Sequence, residues 1–264
     1  MVTGNARRRL DSALIAVLAG SRAYGTHTPV SDTDYRGVMA ATRQMLLGLE
    51  SWDTQWISKQ PDILLYTLPK FVKLALSANP NILDTLFAPD DVIVTITDVG
   101  RELRSLRQSF LSKRVYTTFT RYAQGQLRKL QHGTRCEDST GPDGRCRAHA
   151  GIVGSHGYDT KHAMHLVRLY RMGYELLTTG QIQVRRPDAA ELLSIRNGAW
   201  RLEQFQAFAD EMDELCRRAL ARTDLPDEPD TERIHEWLMD TQLVMLNEGV
   251  RSDGNQLDCT EDCR

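Results

Sequence analysis

The chain has 264 residues, of which 41% are hydrophobic and 26% charged, with a formal net charge of −2. That balance is ordinary for a soluble globular protein, long enough for one large domain or two small ones. It excludes a global basic field as the route to a nucleic-acid partner, so any such partner must use local clusters such as Arg7 to Arg9 or Arg217-Arg218.

Residues 5–13 read as a short helix with a basic start. Leu14 to Ala19 is an apolar run rich enough in Ile and Val to be a buried strand. Arg7 to Ala23 superficially imitates a signal peptide, but Asp11 interrupts the apolar run. Its cleavage site would fall inside the Gly20-Ser21 turn, so a cytoplasmic location is expected. No stretch approaches the roughly 20 apolar residues of a membrane span. Tyr35 to Met39 reads as a second strand and Met45 to Leu49 as a loop or helical turn. Trp52 to Lys59 reads as a variable loop beside the site. Asp62 to Leu68 is a third strand, central and buried.

Pro69 to Ser77 reads as a helix on that sheet, and Ile82 to Phe87 starts another after the Asn79-Pro80-Asn81 break. Val92 to Ile96 is a short strand. Val99 to Leu106 and Tyr116 to Leu130 are helical in pattern. Residues 133–157 are rich in glycine and poor in apolar residues, which reads as a loop insertion. Tyr158 to Leu177 repeats apolar residues at helical spacing, with Gly180 as its stop. Leu192 to Ile195, Leu202 to Leu220 and Ile234 to Leu246 supply further helices.

The expected organisation is a catalytic domain over 1–110, a helical domain over 111–250 and a disordered tail over 251–264. Five scattered cysteines do not suggest a disulfide framework. Cys136 and Cys146, with His132 and His149, are a weak zinc candidate because their spacing is not that of a standard site.

The chemistry concentrates between Gly20 and Arg36. Asp32 and Asp34 are spaced i, i+2, which on a strand sets both on one face, about 7 Å apart. Two such carboxylates repel unless a cation lies between them, and Mg²⁺ accepts both carboxylate and phosphate oxygens. The Gly20-Ser21 turn lets the backbone approach a phosphate closely. Together these are the parts of a site for phosphoryl or nucleotidyl transfer.

Gly20-Ser21, the Gly25 turn and Asp32-x-Asp34 resemble the signature of the DNA polymerase β-like nucleotidyltransferases. The longer string GSRAYGT…SDTDYRGV, with Asp62-Ile-Leu-Leu-Tyr, Asn79-Pro-Asn and Lys161-His-Ala-Met-His, resembles the RNA-repair-associated (RlaP-like) branch. The resemblance implies an α+β fold with a small mixed sheet followed by a helical region. It also implies two Mg²⁺ ions, replaceable by Mn²⁺, on Asp32, Asp34 and Asp62. Asp62 matches the third carboxylate on the strand beside the Asp-x-Asp strand. An acid leading into a buried strand otherwise needs a base partner.

Gly20, Ser21, Arg22, Tyr24, Gly25, Arg36, Lys161 and His165 are the expected nucleotide-binding residues, with Lys161 and His165 sharing a helix face. Lys70, Lys73 and Arg128 are rim candidates. The expected reaction moves a nucleoside monophosphate from an NTP to a hydroxyl acceptor, RNA by the resemblance. A toxin–antitoxin enzyme modifying a protein or tRNA, or a non-catalytic nucleotide-binding module, are the alternatives.

Overall fold

The computed structural model describes residues 4–49, 52–133 and 156–252. A mixed five-stranded sheet, ordered β3-β4-β2-β1-β5, carries the first half of the chain. Its strands are β1 (Ile15–Leu18), β2 (Asp34–Met39), β3 (Gln55–Lys59), β4 (Asp62–Thr67) and β5 (Ile93–Ile96). β1 pairs antiparallel with β2 and β5, β3 pairs antiparallel with β4, and β2 and β4 run parallel.

Strand alternation divides the side chains between two faces. Ala16, Ile63 and Leu65 pack against Ala6 and Leu10 of α1 (Gly4–Asp11). Ile15, Val17 and Val38 face the other way, toward Phe71 and Val72 of α4 (Leu68–Leu76) and Leu103 of α6 (Asp98–Ser105). Between these lie α2 (Ser21–Tyr24), α3 (Arg43–Leu47) and α5 (Pro80–Leu86). Pro80 sits in the first turn of α5, behind an Asn79 side chain that caps Asn81 N–H.

The second half is helical. α7 (Arg114–Gly133), α8 (Thr160–Thr179), α9 (Ala189–Arg196) and α10 (Leu202–Leu220) share one core, with Phe119, Tyr158, Tyr170 and Phe205 buried within it. α8 is its axis. Asp159 caps the first turn by accepting from the Lys161 and His162 N–H groups, and Gly180 closes the helix in the left-handed conformation. α11 (Thr231–Ser252) returns to the sheet side, where Ile234 joins the sheet core and Trp237 donates to Glu102.

The expected α+β architecture is present. Residues 55–59 depart from the expected loop: they form an edge strand in a hairpin with β4. Its alternation is masked because neither face of β3 is fully buried, leaving Ile57 exposed. The Cys136/Cys146 zinc candidate, nearly all of the 133–157 insertion and the tail beyond Ser252 lie outside the described residues.

Candidate active site

Parallel pairing sets Asp34 and Asp62, each the first residue of its strand, side by side in register. Alternation then puts Asp34 and Arg36 on one face of β2, and Asp62, Leu64 and Tyr66 on the matching face of β4. Asp32 differs from the expectation: β2 begins only at Asp34, so Asp32 is exposed in the preceding loop rather than on a strand face. Its charge is still felt at Asp34.

The turn between β1 and α2 meets Asp34 directly. Gly20 has φ +59° and ψ −136°, a conformation that L side chains avoid. A Cβ built there would lie 2.7 Å from Asp34 Oδ2. The glycine therefore answers both a backbone and a space requirement. Arg22 braces the approach to the carboxylates, donating from Nε to Thr33 Oγ1 at 3.1 Å and from Nη2 to the Ser31 carbonyl at 3.5 Å. Gly25 caps α2 in the left-handed conformation, and a Cβ there would lie 3.3 Å from Arg185 Cδ.

Arg36 is the base partner that Asp62 requires. It forms a two-pronged bridge, Nη1 to Oδ1 at 3.0 Å and Nη2 to Oδ2 at 3.1 Å. Among the described residues Asp34 has no such partner. Partial burial raises its pKa first, and the like charges of Asp62 and Asp32 add to this against the opposing pull of Arg36 and Lys161.

These groups border a cleft of about 480 Å³ between the sheet and the helical half. Gly20, Tyr24, Asp34, Arg36 and His165 line it among the expected residues, whereas Ser21, Arg22, Gly25, Asp32, Asp62 and Lys161 lie outside its lining. α7 contributes Tyr122, Gln126 and Lys129, and α8 contributes His165 and Arg168. Lys161 precedes those two on the same stripe, since 161, 165 and 168 are i, i+4 and i+7. It is exposed, yet near enough for its charge to lower the Asp34 pKa.

His165 is half-buried, and its pKa is pushed down to about 3 by desolvation, with Arg168, Lys161, His162 and Arg196 adding to the effect. Its imidazole is therefore neutral across the physiological range. Because the unfolded chain binds this proton near pH 6.5 and the folded one does not, His165 costs stability as pH falls below about 6.5. We expect one histidine C–H resonance to stay at its neutral position down to about pH 4, and to be missing in His165→Gln. Titration of every histidine near pH 6.5 would contradict this environment.

Sequence reasoning missed Asp84 and Arg168. Both are buried, Asp84 among Ile82, Leu83 and Leu86 of α5 and Arg168 amid the apolar run of α8. A charged residue at an apolar helical position was the available signal. Among the described residues no cluster of three or more His, Cys, Asp or Glu side chains has the proximity of a metal site. Asp62 is engaged by Arg36.

Residues 6–240 match the RlaP family, described as the RNA repair pathway DNA polymerase beta family. A segment of 122 residues is 30% identical to an uncharacterized 38.9 kDa protein of the nrdC-mobD intergenic region of Enterobacteria phage T4. That match covers 42% of this chain and 35% of the phage protein. No described helix is long and apolar enough to cross a membrane. With a family match over nearly the whole chain, and a glycine turn set against an aspartate at the start of the central strand of a mixed sheet, this chain belongs to the RNA-repair-associated family of DNA polymerase β-like nucleotidyltransferases.

Proposed function

We propose that the protein is a Mg²⁺-dependent nucleotidyltransferase that moves a nucleoside monophosphate from an NTP to a hydroxyl of RNA, releasing pyrophosphate. The observation that carries this reading is the contact of Asp34 with the Gly20 turn, in register with Asp62, beside a cleft of about 480 Å³.

The donor set suits a divalent cation at Asp34. Its carboxylate is crowded by two like charges and has a raised pKa, and a hard cation would relieve both. Asp32 and Asp34 are the first ligands on this reading. Asp62 would complete the set if it released Arg36, whose charge would then be free for substrate phosphate. When bound, two such cations would supply Lewis-acid activation of the acceptor hydroxyl and neutralise charge on the triphosphate.

The chain's own groups do the rest. The Ser21 and Arg22 N–H groups open α2 without intrahelical acceptors, so they are available to phosphate oxygens. Lys161 adds positive charge near Asp34. Asp62, freed of Arg36, takes the acceptor proton as general base. RNA as acceptor draws its support from the family's association with RNA repair.

The test is incubation with each α-labelled NTP, Mg²⁺ or Mn²⁺ and total tRNA, beside an Asp32→Ala/Asp34→Ala control. Label on RNA that disappears in the control is expected. Label on polypeptide instead would move the acceptor to a protein, as in a toxin–antitoxin enzyme. Nucleotide binding without any transfer to RNA or protein would overturn the catalytic reading in favour of a binding module.

A further inference from the structure

The cleft changes character along its length. Gly20 and Asp34 stand at one end, with Arg36 next along β2. Tyr66 lines it farther on, on the same face of β4 as Asp62 and about 13 Å from it along the strand. Burial raises the Tyr66 pKa first, Arg36 opposes this and Tyr122 of α7 adds to it, so the two phenols are neighbours. Tyr122 and Gln126 are i, i+4 on α7 and bring one helix face to this end of the cleft.

Both α7 side chains are held by residues that do not line the cleft. The Tyr122 hydroxyl accepts from Asn79 Nδ2 at 3.0 Å, and Asn79 Oδ1 in turn accepts the Asn81 N–H. Gln126 Oε1 meets His162 Nδ1 at 2.7 Å. With its oxygen engaged, the Gln126 amide has its Nε2 donors left over.

These groups are within reach of an occupant. Among the described residues, Gln126 Nε2 and the Tyr66 hydroxyl have no hydrogen-bond partner, and neither is sealed from solvent. Tyr122 is 38% exposed. Their chemistry is neutral, whereas a triphosphate calls for cations and backbone N–H groups, which stand nearer the Gly20 turn. An aromatic ring beside an amide donor and a hydroxyl suits a heteroaromatic base, which stacks on the ring and offers ring nitrogens or carbonyl oxygens to the donors. Side chains fixed before binding also lower the ordering cost of that binding.

We propose that Tyr122, Gln126 and Tyr66 form the base subsite of the cleft, with Tyr122 stacking on the base and Gln126 Nε2 and the Tyr66 hydroxyl meeting its edge. The inference rests on the cleft being an NTP site.

The experiment is calorimetric titration, in Mg²⁺ and without RNA, with the four NTPs and inorganic tripolyphosphate. A parallel titration uses total tRNA. The proteins are the wild type, Tyr122→Ala, Tyr122→Phe and Gln126→Ala. Tyr122 is exposed, so its truncation spares the core, and thermal melting confirms that each variant is folded.

Tyr122→Ala is expected to weaken NTP binding on the order of ten-fold or more, with tripolyphosphate affinity unchanged. Tyr122→Phe keeps the ring and is expected to stay within about three-fold of the wild type. Gln126→Ala is expected to change the ranking of the four NTPs, and an unchanged ranking would overturn its role at the base edge. Equal loss for NTP and tripolyphosphate in Tyr122→Ala, or no loss for either, would overturn the inference while leaving the NTP site intact. Unchanged NTP affinity with weakened tRNA binding would overturn it in favour of the acceptor strand. Failure of the wild type to bind any NTP would instead defeat the underlying reading of the cleft, and this inference with it.

Discussion

Asp34→Asn is expected to lower nucleotidyl transfer by on the order of 10³-fold while leaving the protein folded and slightly more stable. The loss follows from its position: Asp34 lies against the Gly20-Ser21 turn and pairs in register with Asp62. The gain follows from its electrostatics. Burial, Asp62 and Asp32 raise the Asp34 pKa above its unfolded value, so the folded state disfavours the ionised form at neutral pH. A carboxyl raised on folding contributes stability only at low pH, and that contribution is lost as pH rises through its folded pKa. A neutral amide escapes this cost. Single-turnover label transfer would measure the first effect. Melting in EDTA would measure the second, an upward shift of about 2 °C at pH 7 and none near pH 3. Activity retained within ten-fold of wild type would remove Asp34 from the reaction.

The largest stability loss outside the apolar core is expected at Arg186. Its side chain is 1% exposed and is held by Glu175 at 2.6 and 2.7 Å and by Asp188 at 2.8 Å. Its backbone N–H donates to the Tyr24 carbonyl at 3.0 Å, which ties this cluster to the end of α2. Burial alone would raise the Asp188 pKa, but hydrogen bonds from Arg186 and Arg171 outweigh it and hold the carboxyl below its usual value. The clamp is therefore intact above about pH 4 and weakens as acid protonates Asp188. Arg186→Met takes both hydrogen bonds from the Glu175 carboxylate and leaves Asp188 with Arg171 alone, and we expect a loss of about 3 kcal/mol at pH 7, read as a fall in Tm of roughly 6–12 °C. The difference from wild type should shrink at pH 3. A variant that melts within about 2 °C of wild type at pH 7 would show that the clamp contributes little.

Much of the site was legible because its chemistry is local. Gly20, Ser21, Asp32 and Asp34 lie within 15 consecutive positions, and a turn glycine followed by acids at a strand start has a direct physical reading. The helices were legible where one face alternates cleanly with the other, as in α7, α8 and α10. β3 was not, because an edge strand with one face exposed and the other only half-buried shows little apolar alternation. Gly25 and Arg22, expected as nucleotide ligands, also have local roles that only the fold revealed, one capping α2 and the other bracing the loop before Asp34.

Sequence by itself determined four of the five strands, the Gly20-Ser21 turn and the pair of acids beside it. These depend on steric and hydrogen-bonding preferences acting over a few residues. Tertiary structure alone decided that Arg36 occupies Asp62, that the Tyr24 hydroxyl donates to Asp84, and that Arg168 reaches a residue 84 positions away. A buried charge has no meaning along the chain: desolvation makes it costly, and only the fold supplies the opposite charge that lets it remain.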